Sequence, residues 1–124
     1  MTKIITTIAI TLAFLSSYVN ATQAKAPERS LNEYSVQELV SHFASQYQVS
    51  SNQMLATIKC ESGFRENAIG DGGKSYGLSQ IHLPSHPNVT KEQATDKVFA
   101  IEFMAKAFSK GKQRQWTCWR MLYL

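Results

Sequence analysis

The sequence predicts an all-α fold. Three stretches place apolar residues at helical spacing, two Ser/Thr capping boxes mark helix starts, and no segment alternates apolar and polar residues convincingly. The 124 residues suit one small domain. A hydrophobic content of 44% excludes a disordered tail. Two cysteines exclude a four-cysteine zinc site and a disulfide-dense scaffold. The charged fraction is only 18%, so the net charge of +4 does not by itself indicate a nucleic-acid partner.

The first element reads as a leader. Lys3 precedes an apolar run from Ile4 to Leu15, and Val19-Asn20-Ala21 forms a small-residue exit. These are the parts of a secretory signal peptide, residues 1–21, with cleavage after Ala21 and Ala24 or Ala26 as later options. The run is shorter than the roughly 20 residues that span a bilayer. An uncleaved anchor is the alternative. Cleavage implies an exported, periplasmic or secreted chain with no stable membrane insertion, in a compartment where disulfides persist. The net charge falls from +4 to +3 because Lys3 leaves. The cationic excess is local: Lys106, Lys110, Lys112, Arg114 and Arg120 stand against Glu102 alone in the last 25 residues. Such a patch suits an anionic wall polymer or membrane face, or is simply a solvated helix face.

Residues 22–34 read as a polar tether containing Pro27. Ser35-Val-Gln-Glu38 is a capping box, and Val36, Leu39, Val40, Phe43 and Tyr47 follow at helical spacing, predicting a helix from about Val36 to Gln48. Ser51 or Asn52 caps a second helix from about Asn52 to Ser62, with Met54, Leu55 and Ile58 buried and Gly63 as its left-handed stop. Gly70-Asp71-Gly72-Gly73 makes Phe64–Tyr76 a loop that sustains neither helix nor strand. Tyr76–His82 reads as one helical turn, and Pro84 and Pro87 enforce a loop after it. Thr90-Lys-Glu-Gln93 is the second capping box. Asp96 starts the last long helix, whose face is Val98, Ile101, Met104, Ala105 and Phe108, and Gly111 ends it. Trp116, Cys118 and Trp119 cluster near the end.

Glu61 is the candidate catalytic acid. It lies at a helix C-terminus beside Phe64, where the macrodipole and burial both favour the neutral carboxyl. A carboxylic acid held protonated near neutral pH is what glycosidic cleavage requires of its general acid. An exposed surface glutamate is the other reading. Asp71 and Glu66 are the nearby candidates for a second carboxylate, with Asp71 also explicable as a turn residue before Gly72. Cys60 and Cys118 are either a disulfide closing a 58-residue loop or two free thiols, and export favours pairing.

Three further motifs do not carry chemistry. Gly73-Lys74-Ser75 mimics the end of a P-loop, but Ala68 occupies the required glycine position. His82 and His86 have zinc-helix spacing, but Pro84 breaks any helix between them, so no metal or other cofactor is expected. Asn88-Val89-Thr90 is a glycosylation sequon only in a eukaryotic source.

Glu61-Ser62-Gly63-Phe64-Arg65-Glu66-Asn67-Ala68-Ile69-Gly70, followed by Tyr76-Gly77-Leu78-Ser79-Gln80-Ile81, resembles the signature of the transglycosylase SLT domain family of soluble lytic transglycosylases, to which goose-type lysozymes are related. The resemblance covers Met54 to Ile81 and extends loosely to the tryptophan cluster. It implies a small lysozyme-like α domain over residues 35–124 that grips a peptidoglycan glycan strand. It implies Glu61 as sole acid/base, cleaving the MurNAc–GlcNAc β-1,4 bond to a 1,6-anhydro-muramyl product. Ser62 would orient Glu61, Gln80 would hydrogen-bond the sugar, Gly77 would admit it to the backbone, and Tyr76 and Leu78 would belong to the substrate-binding set. Two departures stand out. Ser79 replaces the family's methionine, and Trp116-Thr117-Cys118-Trp119 stands where the family has Ala-Tyr-Asn-Ala-Gly, with Tyr123 the one substitute for the lost aromatic hydroxyl. A hydrolytic muramidase and a non-catalytic wall-binding component of a secretion or conjugation apparatus are the competing expectations. Wall remodelling and phage lysis use such domains too.

Overall fold

A computed structural model describes residues 25–124, so the predicted leader lies outside the described residues. The described residues are mostly helical, with a small antiparallel sheet and a disulfide. Five α-helices are present among the described residues: α1 Val36–Tyr47, α2 Ser51–Ser62, α3 Lys91–Thr95, α4 Lys97–Ser109 and α5 Thr117–Tyr123. None is long and apolar enough to cross a membrane.

The start signals work as their chemistry dictates. Ser35 Oγ accepts from the Glu38 N–H (3.2 Å) while Glu38 Oε2 accepts from the Ser35 N–H (2.7 Å). Thr90 and Gln93 reciprocate in the same way at 3.1 and 2.9 Å. Asp96 caps α4 through the Phe99 N–H. The cap of α2 is Ser50, one residue earlier than the sequence suggested, because its hydroxyl reaches the Gln53 N–H. Gly63 ends that helix in the left-handed conformation at φ 59°. The tether is partly docked: Leu31–Glu33 form a 3-10 turn, Leu31 and Tyr34 pack on the core, and Lys97 Nζ donates to the Tyr34 carbonyl at 2.7 Å.

The core lies between α1, α2 and α4. Leu39, Val40 and Phe43 of α1 meet Met54 and Ile58 of α2 and Ala100, Ile101, Met104, Ala105 and Phe108 of α4. Leu78 and Trp116 close it from the sheet and from the start of α5.

The all-α expectation needs correction between residues 69 and 82. Three two-residue strands, β1 Ile69–Gly70, β2 Ser75–Tyr76 and β3 Ile81–His82, form an antiparallel sheet with Ile69 opposite Tyr76 and Tyr76 opposite Ile81. The glycine-rich segment is therefore a hairpin: Asp71, Gly72 and Gly73 all take positive φ and turn the chain between β1 and β2. The expected helical turn over Tyr76–His82 is absent, because Gly77 (φ 81°) and Gln80 (φ 46°) are both left-handed and reverse the chain between β2 and β3.

Candidate active site

A cleft of about 470 Å³ runs between the end of α2, the sheet and the start of α5. Glu61 lines it, half-buried, in the last turn of α2. Asp71 and Ser75 come from the first hairpin, Gln80, Ile81 and His82 from the second, and Ser85 and His86 from the loop after it. Phe103 of α4 and the run Gln115–Thr117 complete the lining.

Glu61 is held by α5. Its Oε1 accepts the backbone N–H of Cys118 at 3.0 Å. No side chain caps α5, so this early N–H finds its partner on another helix. Burial pushes the Glu61 carboxyl above its ordinary range, and the charge of Asp71 adds to that. The Cys118 N–H and the Arg120 guanidinium act in the opposite direction. Cys60 and Cys118 form a disulfide with Cα atoms 5.8 Å apart, which pins α5 to the residue next to Glu61. The indole Nε1 of Trp119 adds a second tie to α2, donating to Gln53 Oε1 at 3.0 Å.

The other expected site residues divide. Gln80 lines the cleft, but its amide is engaged with the sheet: Nε2 donates to the carbonyls of Ala68 (3.2 Å) and Gly77 (3.0 Å). Ser62 is buried and its hydroxyl donates to the Ile58 carbonyl at 3.1 Å, the bond a helix-end serine makes with its own helix. Leu78 is a core residue. Tyr76 is tied by its hydroxyl to the Gly73 carbonyl at 2.7 Å, with Lys91 over its ring. Gly77 is fitted against α3: a Cβ there would stand 1.8 Å from the Ala94 carbonyl oxygen. Ser79, in the methionine position, is fully buried and donates to the Ala100 carbonyl at 2.7 Å, while its own carbonyl accepts the Trp116 indole N–H at 2.7 Å. Tyr123 packs on Trp119, with ring centroids 5.5 Å apart.

Asp71 faces the same cleft as Glu61 and accepts a hydrogen bond from Ser75 Oγ. Glu66 is exposed elsewhere. No local sequence pattern marks Ser75, Ser85, Phe103, Gln115 and Thr117 as lining residues; the fold collects them from distant segments. His82 and His86 both line the cleft on either side of Pro84. His82 Nδ1 pairs with Ser85 Oγ at 2.8 Å. His86 packs edge-on against Phe103, and burial pulls its imidazole below the ordinary range, with His82 and Lys112 adding to that. Among the described residues, no group of three or more His, Cys, Asp or Glu is placed to hold a metal ion.

No protein-family model, curated protein or solved structure matches the chain.

Proposed function

We propose that the chain is an exported peptidoglycan lytic transglycosylase with a lysozyme-like domain, and that Glu61 is its single acid/base. The observation that carries the reading is the half-buried Glu61 carboxyl in a polar cleft, with its proton affinity raised mainly by burial. Protonated Glu61 delivers its proton to the oxygen between N-acetylmuramic acid and N-acetylglucosamine, and the C1–O bond breaks. The muramyl acetamido oxygen takes the nucleophile's role at C1. Glu61, now a carboxylate, removes the proton of the muramyl 6-hydroxyl. That oxygen closes on C1, giving the 1,6-anhydro product and regenerating the acid without consuming water. A glycan strand, with no metal or other cofactor, is the partner this chemistry needs.

A hydrolytic muramidase is the second reading, and Asp71 is the observation that favours it. Asp71 lines the cleft with Glu61 and is held by Ser75. An inverting hydrolase requires a second carboxylate about 6.5–9.5 Å from the acid to activate water.

Digestion of purified sacculi followed by mass spectrometry of the released muropeptides tests both. Products lighter by one water than the hydrolysed muropeptides support transglycosylation. Hydrated products that disappear in Asp71→Asn support the muramidase. Binding to sacculi without release in the wild type overturns both readings and leaves a wall-binding module.

A further inference from the structure

The Cys118 amide makes a contact with Glu61 that the proposed chemistry leaves unused. Its N–H points at Oε1 from 3.0 Å. In a neutral carboxyl, the oxygen that accepts an N–H bond is the carbonyl oxygen, so the acid proton resides on the other one. The contact therefore selects Oε2 as the proton-bearing atom and restricts rotation of the carboxyl group. It is a main-chain donor, so only the placement of α5 keeps it there. That placement rests on the Cys60–Cys118 bridge, the Trp119–Gln53 hydrogen bond and the buried Trp116. The bridge starts at the residue preceding Glu61 and ends at the residue that donates to it, so it closes a small covalent and hydrogen-bonded ring around the carboxyl.

We propose that Cys118 is a positioning residue: the disulfide holds its backbone N–H on Glu61 Oε1, so that Oε2 carries the proton toward the glycosidic oxygen. This rests on the reading of Glu61 as the general acid, and it adds a catalytic duty to a bridge that would otherwise serve stability alone. Misplacing a catalytic group by about 1 Å costs up to roughly 100-fold in rate, so release of α5 should act on kcat more than on KM. The groups that bear on Glu61 are Asp71 from the first hairpin and Arg120 with the Cys118 N–H from α5. His82 and His86 line the same cleft. Freeing α5 removes the N–H and Arg120, which favour the carboxylate, together with part of the burial, which opposes it, so the loss of position is read from kcat against KM.

The first test uses the oxidised wild-type chain. Glu61 is titrated by carbon-detected NMR while the Cys118 amide proton is followed. The amide resonance should move downfield with the same midpoint as the carboxyl; an amide silent through that titration overturns the inference. The second test is kinetic. Cys60→Ala/Cys118→Ala, assayed on sacculi below its own melting midpoint, should lose roughly 10- to 100-fold in kcat, with KM within about twofold. Arg120→Gln, with the bridge intact, removes a charge that favours the carboxylate and should move the alkaline limb of the pH profile upward while kcat is kept. A bridge-less variant with wild-type kcat overturns the inference while leaving the transglycosylase reading intact. A wild type that releases nothing from sacculi overturns that reading and this inference with it. If the double variant does not fold, the amide titration alone decides.

Discussion

Replacing Gly77 with alanine should destabilise the chain severely, for reasons that can be worked from the geometry. Gly77 sits at φ 81° in the turn between β2 and β3. Alanine in a left-handed conformation costs about 1–2 kcal/mol. The added Cβ would also stand 1.8 Å from the carbonyl oxygen and 2.8 Å from the carbonyl carbon of Ala94, both backbone atoms of α3. They can retreat only if α3 shifts away from the sheet, and overpacking of this kind costs about 1–3 kcal/mol. The total is about 2–5 kcal/mol, which corresponds to a fall in Tm of roughly 10–30 °C for a domain of this size. Gly63→Ala is the internal control. Gly63 also has positive φ, but a Cβ there meets nothing within 4 Å, so only the conformational cost applies. Thermal melts followed by circular dichroism should place Gly77→Ala well below Gly63→Ala. Equal Tm values would refute the packing account.

Three further outcomes follow from the same structure. Trp116→Phe removes the indole N–H and leaves the buried Ser79 carbonyl without its donor, which should cost about 1–3 kcal/mol in denaturant titration. Reduction of the Cys60–Cys118 bridge should lower Tm, since the 58-residue loop is worth about 4 kcal/mol in the chain-entropy description; an unchanged midpoint under reductant would count against it. Glu61 should also leave a signature in stability against pH. Its carboxyl binds the proton more tightly folded than unfolded, so its contribution is complete below the ordinary value of 4.5 and is lost as pH rises through the higher folded value. Melts from pH 4 to 8 should therefore show Glu61→Gln gaining on the wild type as pH rises, and a constant difference would contradict the shift.

The helical frame was legible because its signals are local. Ser35 with Glu38, Thr90 with Gln93, and Gly63 each act within one turn, so the sequence displays them directly. The cap of α2 was placed at Ser51 or Asn52 rather than Ser50, because three consecutive residues carry capping side chains and only backbone geometry decides between them. The sheet was not legible: two-residue strands are too short to display alternation, and their pairing is set by the positive φ of Asp71, Gly72, Gly73, Gly77 and Gln80. The position of Glu61 at the end of α2 was readable from Gly63, and the raised proton affinity from its setting. Its partner Cys118 was not readable, because the donor is a backbone amide 57 residues away. For Ser62 and Gly77 the resemblance implied an orienting and a substrate-admitting role, and what the structure adds is their contacts within the chain, to Ile58 and to Ala94. A motif position fixes where a residue stands in the chain, and tertiary packing decides what its side chain meets.

The central claim is that Glu61 supplies and then recovers the proton of glycosidic cleavage. Purified sacculi incubated with wild type and with Glu61→Gln, the latter verified as folded by its Tm, test it most directly. The wild type should release 1,6-anhydro-muropeptides and Glu61→Gln at least 100-fold less, in keeping with the roughly 10²–10⁴-fold contribution of a positioned general acid. Full release by Glu61→Gln, or none by the wild type, would contradict it.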